Sequence, residues 1–137
     1  MTRTLLLVLA SLLVLGTTAC GGPDPVGSDD VVTYVATDVA WLDGEDPIDE
    51  VIVRVGGGRV EVRAGCNSLG VGGARVDGGR LTGGTVSTTD MGCGSDVASR
   101  QDDWLGELVA AEPEITVTAD RVELGSRDAE LVAVRQD

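Results

Sequence analysis

The chain has 137 residues, enough for one domain, and carries 23 acidic groups against 10 basic ones, a formal net charge of −13. Every base is arginine and there is no histidine. An acidic chain without a basic face is excluded as a nucleic-acid binder, because phosphate neutralisation needs clustered Lys or Arg. The missing histidine excludes a Ser-His-Asp triad and histidine-ligated zinc.

Residues 1–19 read as a secretory signal sequence. Arg3 follows the amino terminus, an apolar run of 12 residues extends from Leu5 to Gly16, and small residues lead up to Cys20. A bilayer-spanning helix needs about 20 apolar residues, so a retained transmembrane segment is not expected. Thr17-Thr18-Ala19-Cys20 resembles a bacterial lipobox, which implies that Cys20 is lipidated and becomes the first mature residue. The alternative is ordinary cleavage near Ala19, which leaves a free thiol. Residues 20–30, GGPDPVGSDD after the cysteine, read as a flexible tether with almost nothing to bury. The folded domain is expected over 31–137, lipid-anchored at the extracytoplasmic face of the cell membrane and monomeric.

From Val31 the pattern is β. VVTYVATDVAWL and DEVIVRV are rich in β-branched residues, and RVEVRAG alternates strictly at Val60 and Val62 after the turn GGGR. Two short strands flank Asp77-Gly78, a strong hairpin dipeptide, and TVSTTDM follows. Residues 95–111 form the single helix candidate. Ser95 caps it, Pro113 stops it, and Val97, Trp104, Leu105 and Leu108 share a face. EITVTA, RVELG and AELVAVR complete the chain as strands. The order predicts a mainly β fold of the α+β type, a small antiparallel barrel-like sheet with one helix packed on it before the last strands.

The chain has three cysteines. With Cys20 assigned to lipid, Cys66 and Cys93 remain as an even pair in an exported protein, where disulfides persist. A structural bridge is the expectation; free thiols and a reactive pair are the alternatives. Catalytic dithiols sit closer in sequence, and a cysteine nucleophile wants a histidine. Asn67 is expected to close the turn that leaves the strand.

The acids Asp43, Glu45, Asp46, Asp49 and Glu50 lack the glycine and spacing of a calcium loop and read as a solvated surface. Trp41 and Trp104 read as core or rim packing. No catalytic residue, metal site or cofactor is expected.

Ala64-Gly65-Cys66-Asn67 with Gly70, then Gly79-x-Leu81 and Thr89-x-Met91-x-Cys93, resembles the motif set of the META/HslJ-like domain family. Asp103-Trp104-Leu105 and the closing strands fit the same pattern. Where the family carries aromatics, this chain has Ser68-Leu69 and Tyr34. The resemblance implies a small antiparallel barrel-like domain, found widely in bacterial envelope lipoproteins. The function expected is a non-enzymatic envelope binding or stress-related module. The alternative is a carrier of small apolar ligands in an open barrel.

Overall fold

A computed structural model describes residues 24–40, 50–127 and 129–136. Cys20 and the signal segment lie outside the described residues, as do Trp41 and, Glu50 excepted, the acidic stretch. The strands are β1 Val32–Ala40, β2 Ile52–Gly56, β3 Arg59–Ala64, β4 Asn67–Gly72, β5 Arg75–Asp77, β6 Arg80–Thr82 and β7 Thr85–Thr88. Helix α1, Asp96–Ala110, follows, and β8 Glu114–Val117, β9 Arg121–Ser126 and β10 Ala129–Arg135 end the described chain. Among the described residues no helix is long and apolar enough to cross a membrane.

All ten strands join one curled antiparallel sheet in the order β5-β6-β8-β9-β10-β1-β2-β3-β4-β7. The expected fold class holds. The first and last strands pair at its centre, with Tyr34 opposite Arg135 and Val39 opposite Leu131. This is a contact no local pattern announces. The pairing shifts register between Ala36 and Asp38, a bulge that adds bend to the sheet.

Alternation builds the core. Val53 and Val55 on β2, Val60 and Val62 on β3, Val122 and Leu124 on β9 and Leu131 on β10 are all essentially fully buried. Burying a side chain of this size contributes roughly 1.5–3 kcal/mol. Between β2 and β3, Gly57 and Gly58 both have positive φ, 61° and 67°. That is the geometry of a type I′ turn, whose twist matches the flanking strands.

Two expectations change. The stretch read as a flexible tether up to residue 30 is seated on the fold through Val26 and Ser28. Val26 is fully buried, its carbonyl accepts from Gly58 N at 2.8 Å, and Ser28 O accepts from Gly57 N at 2.5 Å. One valine among small polar residues is enough to seat the segment on the β2–β3 turn. The helix face also differs. Ser95 caps as expected, accepting from Ala98 N, but the buried residues are Ala98, Gln101, Leu105, Leu108 and Val109. Val97 and Trp104 are half-buried at the rim. The helix packs on β3 and β4, with Gly106 against Leu69.

Tyr34, the chain's one tyrosine, is buried and donates its hydroxyl hydrogen to Thr118 O at 3.1 Å. Burial raises its pKa above the ordinary value near 10; Arg135 opposes this and Asp120 adds to it. The unfolded chain therefore ionises first. Tyr34 contributes its full stability below about pH 10, and the contribution falls as pH rises through the folded-state value. Alkaline absorbance titration should show a delayed phenolate, and Tyr34→Phe should flatten the alkaline loss of stability. A phenolate that appears at the free-tyrosine pH would contradict this.

Candidate functional site

Gly65 and Cys66 form the two-residue turn between Ala64 and Asn67, which pair across β3 and β4. Gly65 sits at φ 78°, a conformation glycine adopts without steric penalty. Beneath the turn lies α1, with the Ala98 Cβ and Gln101 Oε1 within 4 Å of where a Gly65 Cβ would stand. The turn delivers Cys66 to the side chain of Cys93, which lies two residues ahead of the helix cap. The two are joined as a disulfide with Cα atoms 5.6 Å apart, a separation that such bridges span. Both are half-buried.

Asn67 is the hub beside the bridge. It is largely buried, and every arm of its amide is engaged. Oδ1 accepts from Thr89 Oγ1 at 2.8 Å and from Met91 N at 2.9 Å. Nδ2 donates to Asp102 Oδ2 at 2.7 Å and to Met91 O at 3.2 Å. Because Met91 N can only donate, the oxygen must face it, which fixes the amide's orientation. Thr89 Oγ1 in turn accepts from Ser68 N at 3.0 Å. The expectation that Asn67 closes a local turn does not hold, since its partners are Thr89, Met91 and Asp102. Asn67 ties β4 to residues 89–91, more than twenty positions away, because an amide carries donor and acceptor on one rigid plane.

Asp102, which sequence reasoning passed over, completes the group. It projects from α1 with Oδ2 2.9 Å from the Cys66 Sγ and 3.2 Å from the Cys93 Sγ. A disulfide has no S–H, so these are close sulfur–oxygen contacts, and the carboxylate's donor is Asn67. Its second oxygen, Oδ1, is buried without a hydrogen-bond partner. The sequence did hold a signal. Ala98, Gln101, Asp102, Leu105, Leu108 and Val109 form one stripe at helical spacing, and two polar residues interrupt it. The neighbouring Asp103, part of the motif, is exposed.

The structure therefore brings Gly65, Cys66, Asn67, Thr89, Met91 and Cys93 together. Met91 takes part through its backbone alone, and its side chain is exposed. Gly70 stands apart. A Cβ there would lie 2.7 Å from the Arg59 Nη2, so glycine lets that guanidinium cross β4 to Ser87 Oγ at 3.1 Å. A surface hollow of about 760 Å³ lies elsewhere, lined by Arg80, Glu114, Glu123, Arg127 and Glu130 among others.

Comparison with solved structures places the fold among small proteins of the same kind. A Burkholderia xenovorans protein solved by NMR superposes with a TM-score of 0.57 at 15% identity, over 80% of this chain and 83% of that one. A second NMR structure gives 0.52 at 18% identity, over 75% and 87%. No curated protein matches the chain. The META domain family's sequence model matches residues 31–137; the chain belongs to the META domain family.

Proposed function

We propose that the protein is a lipid-anchored module of the extracytoplasmic face of the cell membrane, a META domain that binds an envelope partner and catalyses no reaction. The observation that carries this reading is the use of the three cysteines. Cys66 and Cys93 are bridged, as befits an oxidising compartment. That leaves Cys20, directly after an apolar run and Ala19, for acylation. With Val26 already buried, six Cα–Cα steps of about 3.8 Å hold the folded unit within roughly 23 Å of such an anchor. The carrier alternative gains no support. Side chains such as Val62, Leu105, Leu124 and Leu131 fill the interior, and the large hollow is lined with charge, whereas apolar ligands seek apolar walls.

The test is Cys20→Ser. Acyl chains contribute about 0.8 kcal/mol per buried CH₂, and two chains hold a protein stably. The wild type should stay with membranes at high salt, since an acidic domain has little attraction to anionic lipid. The variant should appear in the soluble fraction and lose metabolic fatty-acid label. A variant that remains membrane-bound, or a wild type that salt extracts, would sink the anchor.

A further inference from the structure

We propose that Cys66, Cys93 and Asp102 form a site for a thiophilic divalent cation, Zn²⁺, that opens when the disulfide is reduced. The two sulfurs and a carboxylate oxygen lie within 4.8 Å of one another. Tetrahedral zinc binds sulfur at about 2.3 Å and carboxylate oxygen at about 2.0–2.2 Å, so its donors stand roughly 3.5–3.8 Å apart. Once the S–S bond is gone, the sulfurs must separate from bonding distance to about 3.8 Å to meet that spacing. The expectation of no metal site rested on the missing histidine and on the acids near residue 45. Asp102 enters only through the fold.

Three features suit this arrangement and are not needed by a bridge alone. An anionic group pressed against two disulfide sulfurs contributes nothing to the bond between them. One oxygen of that carboxylate, Oδ1, is buried with no hydrogen-bond partner, while Oδ2 lies against both sulfurs at 2.9 and 3.2 Å. Oδ2 is also oriented by Asn67 Nδ2 at 2.7 Å, the kind of outer contact that fixes a metal-binding carboxylate. The Met91 carbonyl oxygen lies 4.0 Å from each sulfur, and both cysteines are partly exposed to solvent, from which a fourth ligand would come. The Cys66 side of the site is braced by sheet, since β4, which follows it directly, is hydrogen-bonded to β3 on one side and β7 on the other.

The chemistry balances with a dithiol as reductant. Its thiolate attacks one sulfur, a mixed disulfide forms, and the second thiol resolves it. The S–S bond is cleaved, Cys66 and Cys93 gain two electrons and two protons, and the dithiol becomes a cyclic disulfide. Zn²⁺ then displaces both thiol protons to form two Zn–S bonds. A disulfide oxidant reverses the sequence: it takes two electrons from the two thiolates and two protons from water to become two thiols, the Cys66–Cys93 bond re-forms, and Zn²⁺ is released. In reduced protein the cation would hold the turn to residues 91–93 in place of the covalent bond.

The test uses the detergent-solubilised full chain, oxidised or reduced with a phosphine, and titrated with Zn²⁺, or with Co²⁺ as spectroscopic probe. Reduced protein should bind one equivalent, release two protons and show thiolate-to-cobalt charge transfer, while oxidised protein shows none. Asp102→Asn should weaken zinc binding at least tenfold. Near-ultraviolet circular dichroism should report the native fold in the reduced, zinc-loaded state. The proposal is overturned if reduced and oxidised protein bind alike, or if charge transfer is absent. It is equally overturned if Asp102→Asn binds as tightly as the wild type, or if reduced protein unfolds and zinc does not restore the signal. Should Asp102→Asn fail to fold, the reduced and oxidised wild-type spectra decide alone.

Discussion

Replacing Cys66 and Cys93 together with serine is expected to lower the unfolding free energy by about 3 kcal/mol. The residues are 27 apart in sequence, and the chain-entropy treatment of a loop that size gives about 3.5 kcal/mol at 25 °C. Residual structure in the unfolded chain trims this. The loss weighs heavily here. The core is built from valine and leucine, the chain has no phenylalanine, and domains of this size stand only about 5–15 kcal/mol above unfolding. Residues 89–92 are exposed and depend on the bridge and on Asn67 for their place. Urea denaturation should show a lower midpoint, while the oxidised wild type shows no alkylatable thiol at either position. A loss below about 0.5 kcal/mol, within the range of ordinary surface substitutions, would mean that the bridge constrains little.

Asn67→Ala should cost a similar amount, about 3 kcal/mol, by a different route. It strips the partners from Met91 N and the donor from the Asp102 carboxylate, and each buried polar group left unpaired costs about 1–3 kcal/mol. Asn67→Asp separates charge from shape. The oxygen facing Thr89 and Met91 survives, but the donor that stood 2.7 Å from Asp102 Oδ2 becomes a second carboxylate oxygen. That variant should be destabilised at neutral pH and recover as the pH falls, when the two carboxyls can share a proton. An Asn67→Asp protein as stable as the wild type at neutral pH would show that the Asn67–Asp102 bond contributes nothing.

What could be read beforehand followed the period of the side chains. Val60 and Val62 announced β3, Gly57-Gly58 its hairpin, and Ser95 the helix start, because each acts through neighbours in sequence. Strand β4 stayed hidden. Asn67, Ser68, Gly70 and Gly72 have little intrinsic preference for a strand, and the segment is extended because β3 and β7 hydrogen-bond it from both sides. The pairing of β1 with β10 joins the two ends of the domain and leaves no local trace. At the site, counting cysteines was enough to expect the Cys66–Cys93 pair. Asp102 lies nine residues beyond Cys93 on a helix whose buried stripe carries Gln101 as well. Two polar residues in that stripe turned the expected face toward Val97 and Trp104.

The central claim is that Cys66–Cys93 and the amide and carboxylate beside it act as one clamp on residues 89–93. A double-mutant cycle tests it most directly. Unfolding free energies are measured for the wild type, Asn67→Ala, the Cys66→Ser/Cys93→Ser pair and the combination. Both changes release the same loop, so once one is made the other should cost less. The combined loss should fall short of the sum by about 1 kcal/mol or more, within the range seen for residues in contact. Losses that add to within about 0.3 kcal/mol, as independent sites do, would contradict it.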